Sequence, residues 1–486
     1  MIRPLLRTTL AATVLVSSLG RAADSGTVTL PDLGDASVGV ISPAQERKLG
    51  EDFMRRARRS LAFLDDPELN DYIQSLGSRL VAAADTPSRD FHFFLVNDPT
   101  INAFAVPGGF IGVHTGLILA ATSEGELASV LAHETAHVTQ RHIPRLVAEQ
   151  QRASLPAMAA LLASVLLAAA GKSGAEAGIV ASQAALAQQG INFTRSFEEE
   201  ADRIGMAMLA KSGFDPNGMP AFFERMQNLN RANETSLPEF LRTHPVTTNR
   251  IADARNRAAQ LSARPRPDSS EFHHARARIR ALVASDPREA AREFRANLAQ
   301  GRYRDADAER YGLAVSLLRA KDIEAARSEA KQLAARQPSR LGYQTLRAEI
   351  ELAGGQVNEG LAIYNTAHRR HPDNAPLLRS YAAALLRAGK PRETFDLLRP
   401  VIRRSPNDPT LYRIYGQAAG EIGERVEAHR ALGEYHYLNG NPGAAIQQLE
   451  IARRSAGNDF YLLSSIEARI GAIKDEIALY QEEKGR

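Results

Sequence analysis

The stretch Leu131-Ala132-His133-Glu134-Thr135-Ala136-His137 decides how the first half of the chain is read. It lies in a run, residues 124 to about 146, whose pattern predicts one long helix. Positions i and i+4 share a helix face, so His133 and His137 point at one place. Two imidazoles so spaced suit a divalent metal, and Glu134, one position on, reaches the water that would attack beside it. The pattern suits metal-assisted hydrolysis of a peptide bond. It needs a third ligand. Arg195-Ser196-Phe197-Glu198-Glu199-Glu200-Ala201-Asp202, a second predicted helix, offers a carboxylate. Asp202, one turn after Glu198, is placed to accept the free N–H of a ligand His and fix its tautomer. Glu199 and Glu200 read as a solvated face, but spacing alone does not choose among the three glutamates. His142 lies five positions beyond His137, about 140° around a continuous helix, and is expected to face elsewhere. His92 and His114 fall in a strand region, where they pack or face solvent.

Outward from the motif, residues 44 to about 83 are helical, 91–96 β-like, 101–109 a turn-rich loop ending in Pro107-Gly108-Gly109, and 110–113 a second short strand. Two uncharged runs, 153–171 and 177–194, flank a polar turn. The first contains Pro156 and is rich in alanine, so the pair predicts a helical hairpin packed on the body or touching a membrane surface, not a span. Residues 262–270 read as a linker.

Everything after that linker is helical in pattern and repeats. Pro338, Pro372 and Pro406 recur every 34 residues. Ala314, Ala348, Ala382 and Gly416 form one column of small residues in the same phase, and Ala326, Gly360, Thr394 and Ala428 another. A 34-residue period of paired helices is the tetratricopeptide signature. Small residues sit where two helices cross closely, and the proline closes the second helix. Phase is lost after about residue 430. Stacked pairs form a groove suited to peptide or protein.

The N-terminus reads as a secretory signal: Arg3 and Arg7, an uncharged stretch from Thr8 to Gly20, and cleavage after Ala22. Of 486 residues none is Cys, which excludes disulfides, thiol catalysis, thiolate-bound zinc and a lipoprotein anchor. The 60 basic side chains barely exceed the 56 acidic ones, so no nucleic acid partner is implied.

His133-Glu134-x-x-His137 followed by Arg195-x-x-Glu198-x-x-Ala201-Asp202 resembles the gluzincin metallopeptidases that include HtpX and the CAAX prenyl proteases. The resemblance covers roughly residues 44–260 and implies that Glu198 is the third zinc ligand. Asn102 to Gly109 resembles the family segment that leads to an edge strand at the cleft, which makes Asn102, Phe110 and Val113 the candidate substrate edge, aligning peptide by β-augmentation. His244-Pro245 with Arg250-Ile251 matches a further signature. The resemblance implies that His244 caps the zinc as a fourth ligand and keeps the enzyme latent. Its alternatives are stabilising the developing oxyanion and simply initiating a helix. Arg250 is expected to be a structural anchor. Signal, protease and repeats in that order resemble the periplasmic branch of the family, which implies outer-membrane β-barrel assembly and quality control.

The expected chain is therefore mainly α: a signal peptide (1–22), an arm (23–43), a zincin-like protease with a small sheet (44–262, hairpin 153–194) and an α-solenoid of tetratricopeptide repeats (271–486). One Zn2+ would be held by His133, His137 and Glu198, with Glu134 as general base. Expected partners are unfolded or stalled outer-membrane proteins and their assembly machinery, in the periplasm, with peripheral membrane contact at the hairpin. Two other functions fit: a latent protease working chiefly as chaperone or scaffold, and a broad periplasmic peptidase.

Overall fold

The computed structural model describes residues 41–84, 90–149, 162, 163, 166, 195–232, 238–261 and 266–485. The signal segment 1–22 and nearly all of the 23–43 arm lie outside these residues. So does most of the 153–194 hairpin, of which Leu162 and Leu166 are buried beside Phe53. Among the described residues no helix is long and apolar enough to cross a membrane.

Helix α1 (Pro43–Ser60) starts where its sequence dictates. Ser42 and Gln45 cap each other's backbone amides, and Pro43 takes the first helical position. Asp66 caps α2 (Pro67–Val81) by accepting from the Leu69 amide, with Pro67 at the first helical position. Strands β1 (His92–Val96), β2 (Ala103–Val106) and β3 (Phe110–His114) form one sheet in the order β1-β3-β2. β1 runs parallel to β3, and β2 antiparallel to it, with Ala105 opposite Ile111. Gly108 and Gly109, at φ 82° and 89°, make the tight turn between β2 and β3.

The sheet corrects two expectations. The region read as a loop contains β2, whose four residues are buried on both faces and so never alternate apolar with polar. The strand of Phe110 and Val113 is not an edge: β3 is the central strand, because the hairpin folds β2 onto one side and β1 takes the other. The edge is β2.

After α3 (Thr115–Ala120), α4 (Glu124–Thr139) carries the two histidines. It is buried on every side apart from Gly125, as a helix at the centre of a domain must be. The predicted helix to residue 146 breaks. Arg141 adopts φ 53°, and α5 (His142–Glu149) sets off in a new direction. The buried Arg141 side chain holds this turn: Nε donates to Glu46 Oε1 at 2.6 Å, and Nη2 to the Ile41 carbonyl at 2.6 Å. Helix α6 (Arg195–Lys211) then crosses α4 at Gly205, where a Cβ would stand 3.0 Å from the His133 nitrogen. Helices α7 (Gly218–Ala232), α8 (Glu239–Thr243) and α9 (Thr248–Gln260) complete the body.

The helices that follow pair in succession: α10 (Ser270–Val283) with α11 (Pro287–Gln300), α12 (Ala306–Arg319) with α13 (Ile323–Arg336), α14 (Leu341–Ala353) with α15 (Val357–Arg370). Then come α16 (Ala375–Arg387) with α17 (Pro391–Leu398), α18 (Pro409–Glu421) with α19 (Arg425–Leu438), and α20 (Pro442–Ser455) with α21 (Phe460–Gly485). The small-residue columns lie at the crossings: a Cβ on Gly360 would stand 2.9 Å from the Ala348 carbonyl oxygen, and one on Gly416 3.2 Å from that of Ala428.

The repeats grip the body formed by α1 to α9. Phe272 and Ile279 of α10 join the core that holds α2 and α4. Arg278 clasps Asp66 at 2.7–3.0 Å, Tyr311 donates to Glu68 at 2.6 Å, and Arg379 and Thr410 meet Asp65. Helices α10, α12, α16 and α18 thus hold the chain's own α1–α2 corner. The described end of the expected linker, 266–270, is also tied down: Ser269 donates to Glu124 from both its amide and its hydroxyl.

Candidate metal centre

One turn of α4 places His133 and His137 on the same face, their Nε2 atoms 3.0 Å apart. Glu198, near the start of α6, comes to 3.5 Å from His133 and 3.4 Å from His137. His244, which caps the C-terminus of α8, closes the group, with Nδ1 3.0 Å from Glu198 Oε1 and 3.4 Å from His133 Nε2. One ligand atom from each of the four lies within 4.8 Å of the others, and all four residues are buried. Two imidazole lone pairs facing each other repel unless a cation or proton sits between them. Such a donor set fits a divalent ion, and two imidazoles with a carboxylate fit zinc in particular.

The surroundings fix each ring. His133 Nδ1 lies 2.9 Å from Asp202 Oδ1, which leaves Nε2 to present its lone pair. Arg250 in turn spans both carboxylates, with Nε on Asp202 at 2.7 Å, Nη2 on Asp202 at 2.8 Å and Nη1 on Glu198 at 2.8 Å. Burial opposes charge on His133, yet the hydrogen bonds to Asp202 and Glu198 push it up to about 10. Burial pulls His137 down to about 3. The Glu198 carboxyl is held well below the usual range, since the charges of His244 and His133 outweigh its burial.

Glu134 is fully buried beside the cluster, 3.4 Å from His244 Nε2. Burial pushes its carboxyl up, against the opposing charges of His244 and His133. Helix α4 packs against the edge strand β2. Asn102 precedes that strand: its carbonyl accepts from the His114 amide at 3.1 Å and its side-chain oxygen is buried without a partner. Phe110 and Val113 are buried in the central strand, where they pair with Val106 and Ala103 of this edge and do not form it themselves.

Two residues depart from the sequence reading. His142 does not face away: the turn at Arg141 swings it back, so that its Nδ1 lies 2.8 Å from His137 Nδ1. Glu200 is not merely a solvated charge, for it meets His142 Nε2 at 3.3 Å and Arg145 at 2.9 Å, whereas Glu199 is exposed and pairs with Arg195. No periodicity announces either contact, because both follow from the helix break. His92 and His114 stay outside the cluster, beside Arg47 and Thr100 respectively.

Residues 67–258 match the sequence pattern described as Peptidase family M48. The chain is 35% identical over 476 residues to the beta-barrel assembly-enhancing protease of Escherichia coli K12, covering 98% of this chain and 96% of that one. It is 37% identical over 444 residues, 91% of each chain, to the putative beta-barrel assembly-enhancing protease of Vibrio cholerae. The mitochondrial metalloendopeptidase OMA1 of Schizosaccharomyces pombe shares 32% identity over 182 residues, 37% of this chain and 50% of that one.

Proposed function

The chain belongs to the family of β-barrel assembly-enhancing proteases, metallopeptidases with an M48 catalytic half, and on that premise we propose that it is an exported zinc endopeptidase of outer-membrane protein quality control. In this reading residues 1–22 direct export and are cut after Ala22, the protease occupies 44–262 in the periplasm, and the repeats from 271 hold clients and assembly partners. A cavity of about 660 Å³ between β1 and the repeats, lined by Phe63, Phe94, Arg379 and Tyr435, is the place offered to a client segment, and the 153–194 hairpin the place for membrane contact.

The observation that carries the chemistry is the 3.0 Å approach of two buried imidazole nitrogens beside Glu198. His133, His137 and Glu198 would hold one zinc ion, which would supply Lewis acidity toward the scissile carbonyl and the attacking water. Asp202 accepts the His133 Nδ1 proton and holds that ring in its ligating tautomer. Arg250 balances the charge of Asp202 and Glu198. Glu134 takes a proton from the attacking water as its oxygen bonds to the carbonyl carbon, then delivers it to the amine nitrogen as the C–N bond breaks. A carboxyl raised by burial suits both halves of that task. The free edge of Ala103–Val106 would align the substrate backbone as an added strand.

His244 supports a second reading. It touches Glu198 and Glu134 together and is buried, so it stands where substrate must come. On this reading the enzyme is latent until the 238–244 segment moves, and serves as chaperone or scaffold meanwhile. The test is casein cleavage by the purified chain, with and without Glu134→Gln, each also in a His244→Ala background. Cleavage that vanishes with Glu134→Gln supports the endopeptidase, and equal cleavage with and without that substitution sinks it. Clients trapped on the Glu134→Gln chain separate barrel quality control, which enriches outer-membrane proteins, from a broad peptidase, which does not.

A further inference from the structure

The two metal-facing imidazoles are held from behind by different partners. His133 leans on a carboxylate. His137 leans on another imidazole, His142, whose Nδ1 lies 2.8 Å from its own. Two Nδ1 atoms at that distance share one proton. If His137 presents the Nε2 lone pair to the metal, its proton is on Nδ1 and points at His142. The Nδ1 of His142 is then bare and accepts, and its own proton is on Nε2, facing Glu200 Oε2 at 3.3 Å. Glu200 is anchored by Arg145 at 2.9 Å, so the polarity of the chain is set from its outer end inward.

The ring has little freedom to do otherwise. His142 is fully buried and stacks on Phe197, with centroids 4.7 Å apart and planes at 10°. Its backbone is aimed by Arg141, whose left-handed conformation is sparsely populated for a residue with a side chain and is kept by the buried pair with Glu46. A strained turn that directs an imidazole at a ligand imidazole is a built arrangement.

We propose that His142 is the positioning residue of the second metal-ligating histidine, fixing the tautomer and orientation of His137 through an imidazole–imidazole hydrogen bond relayed to Glu200 and Arg145. The inference rests on the zinc reading of the site. It makes the two ligands unequal: an anionic acceptor strengthens His133 as a donor to the metal, whereas a neutral one leaves His137 weaker.

The test compares the full chain with His142→Phe, which keeps the stack on Phe197 but cannot accept, and His142→Gln, whose amide oxygen can accept and whose amide N–H can reach Glu200. Zinc affinity is measured by competition with a chromophoric chelator, and Co2+ uptake by the metal-free protein through its visible bands. His142→Phe should bind zinc 10- to 100-fold more weakly, as loss of a partner behind a metal-ligating His typically causes, and His142→Gln should recover most of that loss. A folded His142→Phe chain that holds zinc as tightly as the parent overturns the proposal. A parent chain that takes up no Co2+ overturns the metal reading beneath it instead. Nitrogen-15 spectra of the histidine-labelled, zinc-loaded parent decide the matter even if His142→Phe does not fold: a His142 protonated on Nε2 and bare on Nδ1 is expected, and the opposite tautomer overturns the proposal.

Discussion

Gly205 lies against His133 so closely that a Cβ on it would stand 3.0 Å from the His133 backbone nitrogen and 3.1 Å from the Ala132 carbonyl. This contact sets the distance between α4 and α6, and hence brings Glu198 and Asp202, about two turns and one turn earlier on α6, to the imidazoles. Gly205→Val has no room, because the neighbours are backbone and not a movable side-chain tip. Overpacking of this kind costs about 1–3 kcal/mol. The variant should therefore melt lower and bind zinc more weakly, although no ligand is changed. Unaltered zinc affinity would show that the crossing does not set the site.

Asp202 serves two partners, lying 2.9 Å from His133 Nδ1 and pairing with Arg250. Asp202→Asn keeps an acceptor for the ring but removes the charge that fixes the proton on Nδ1. Zinc affinity should fall roughly 10- to 100-fold, the usual consequence of losing such a partner. Chelator competition measures it, and a fall of less than twofold would mean that Arg250 and Glu198 alone orient the ring.

His244 separates latency from catalysis. Because it sits on both Glu134 and Glu198 in a fully buried cluster, His244→Ala should open the site and raise casein cleavage several-fold over the parent chain. A loss of about 100-fold or more would instead give His244 the part of an oxyanion donor.

What the sequence disclosed was what local geometry controls. His133, Glu134 and His137 were legible because one helical turn is enough to relate them. The repeats were legible because the small-residue columns and the prolines return in step. Glu198 needed a family resemblance, since nothing local joins α6 to α4 and their approach depends on Gly205. β2 was illegible because Ala103, Phe104, Ala105 and Val106 are all buried and carry no alternation. The direction of His142 was illegible for a different reason: it depends on an arginine in the left-handed region, held there by Glu46 from a distant helix. A helix-period argument assumes that the helix continues, and here it does not.

His274 predicts an acid weakness of the repeats that is independent of the metal. Its ring joins α10 to α14, with Nδ1 2.7 Å from the Ser270 carbonyl and Nε2 2.7 Å from the Tyr343 hydroxyl, and it is 2% exposed. Burial, aided by the charge of Arg340, pulls it down to about 4, against the opposing charges of Asp305 and Glu271. In the unfolded chain it titrates near 6.5. Between those values the unfolded state binds the extra proton, so stability rises with pH there. The contribution is whole above pH 6.5 and is lost as pH falls toward 4, in total about 3 kcal/mol. His274→Gln can keep both hydrogen bonds without titrating. Urea unfolding at pH 7 and pH 4.5 should therefore show the parent losing more stability than His274→Gln over that interval. If both chains weaken by the same amount, the acid sensitivity lies elsewhere and the neutral His274 bridge is not what secures α10 against α14.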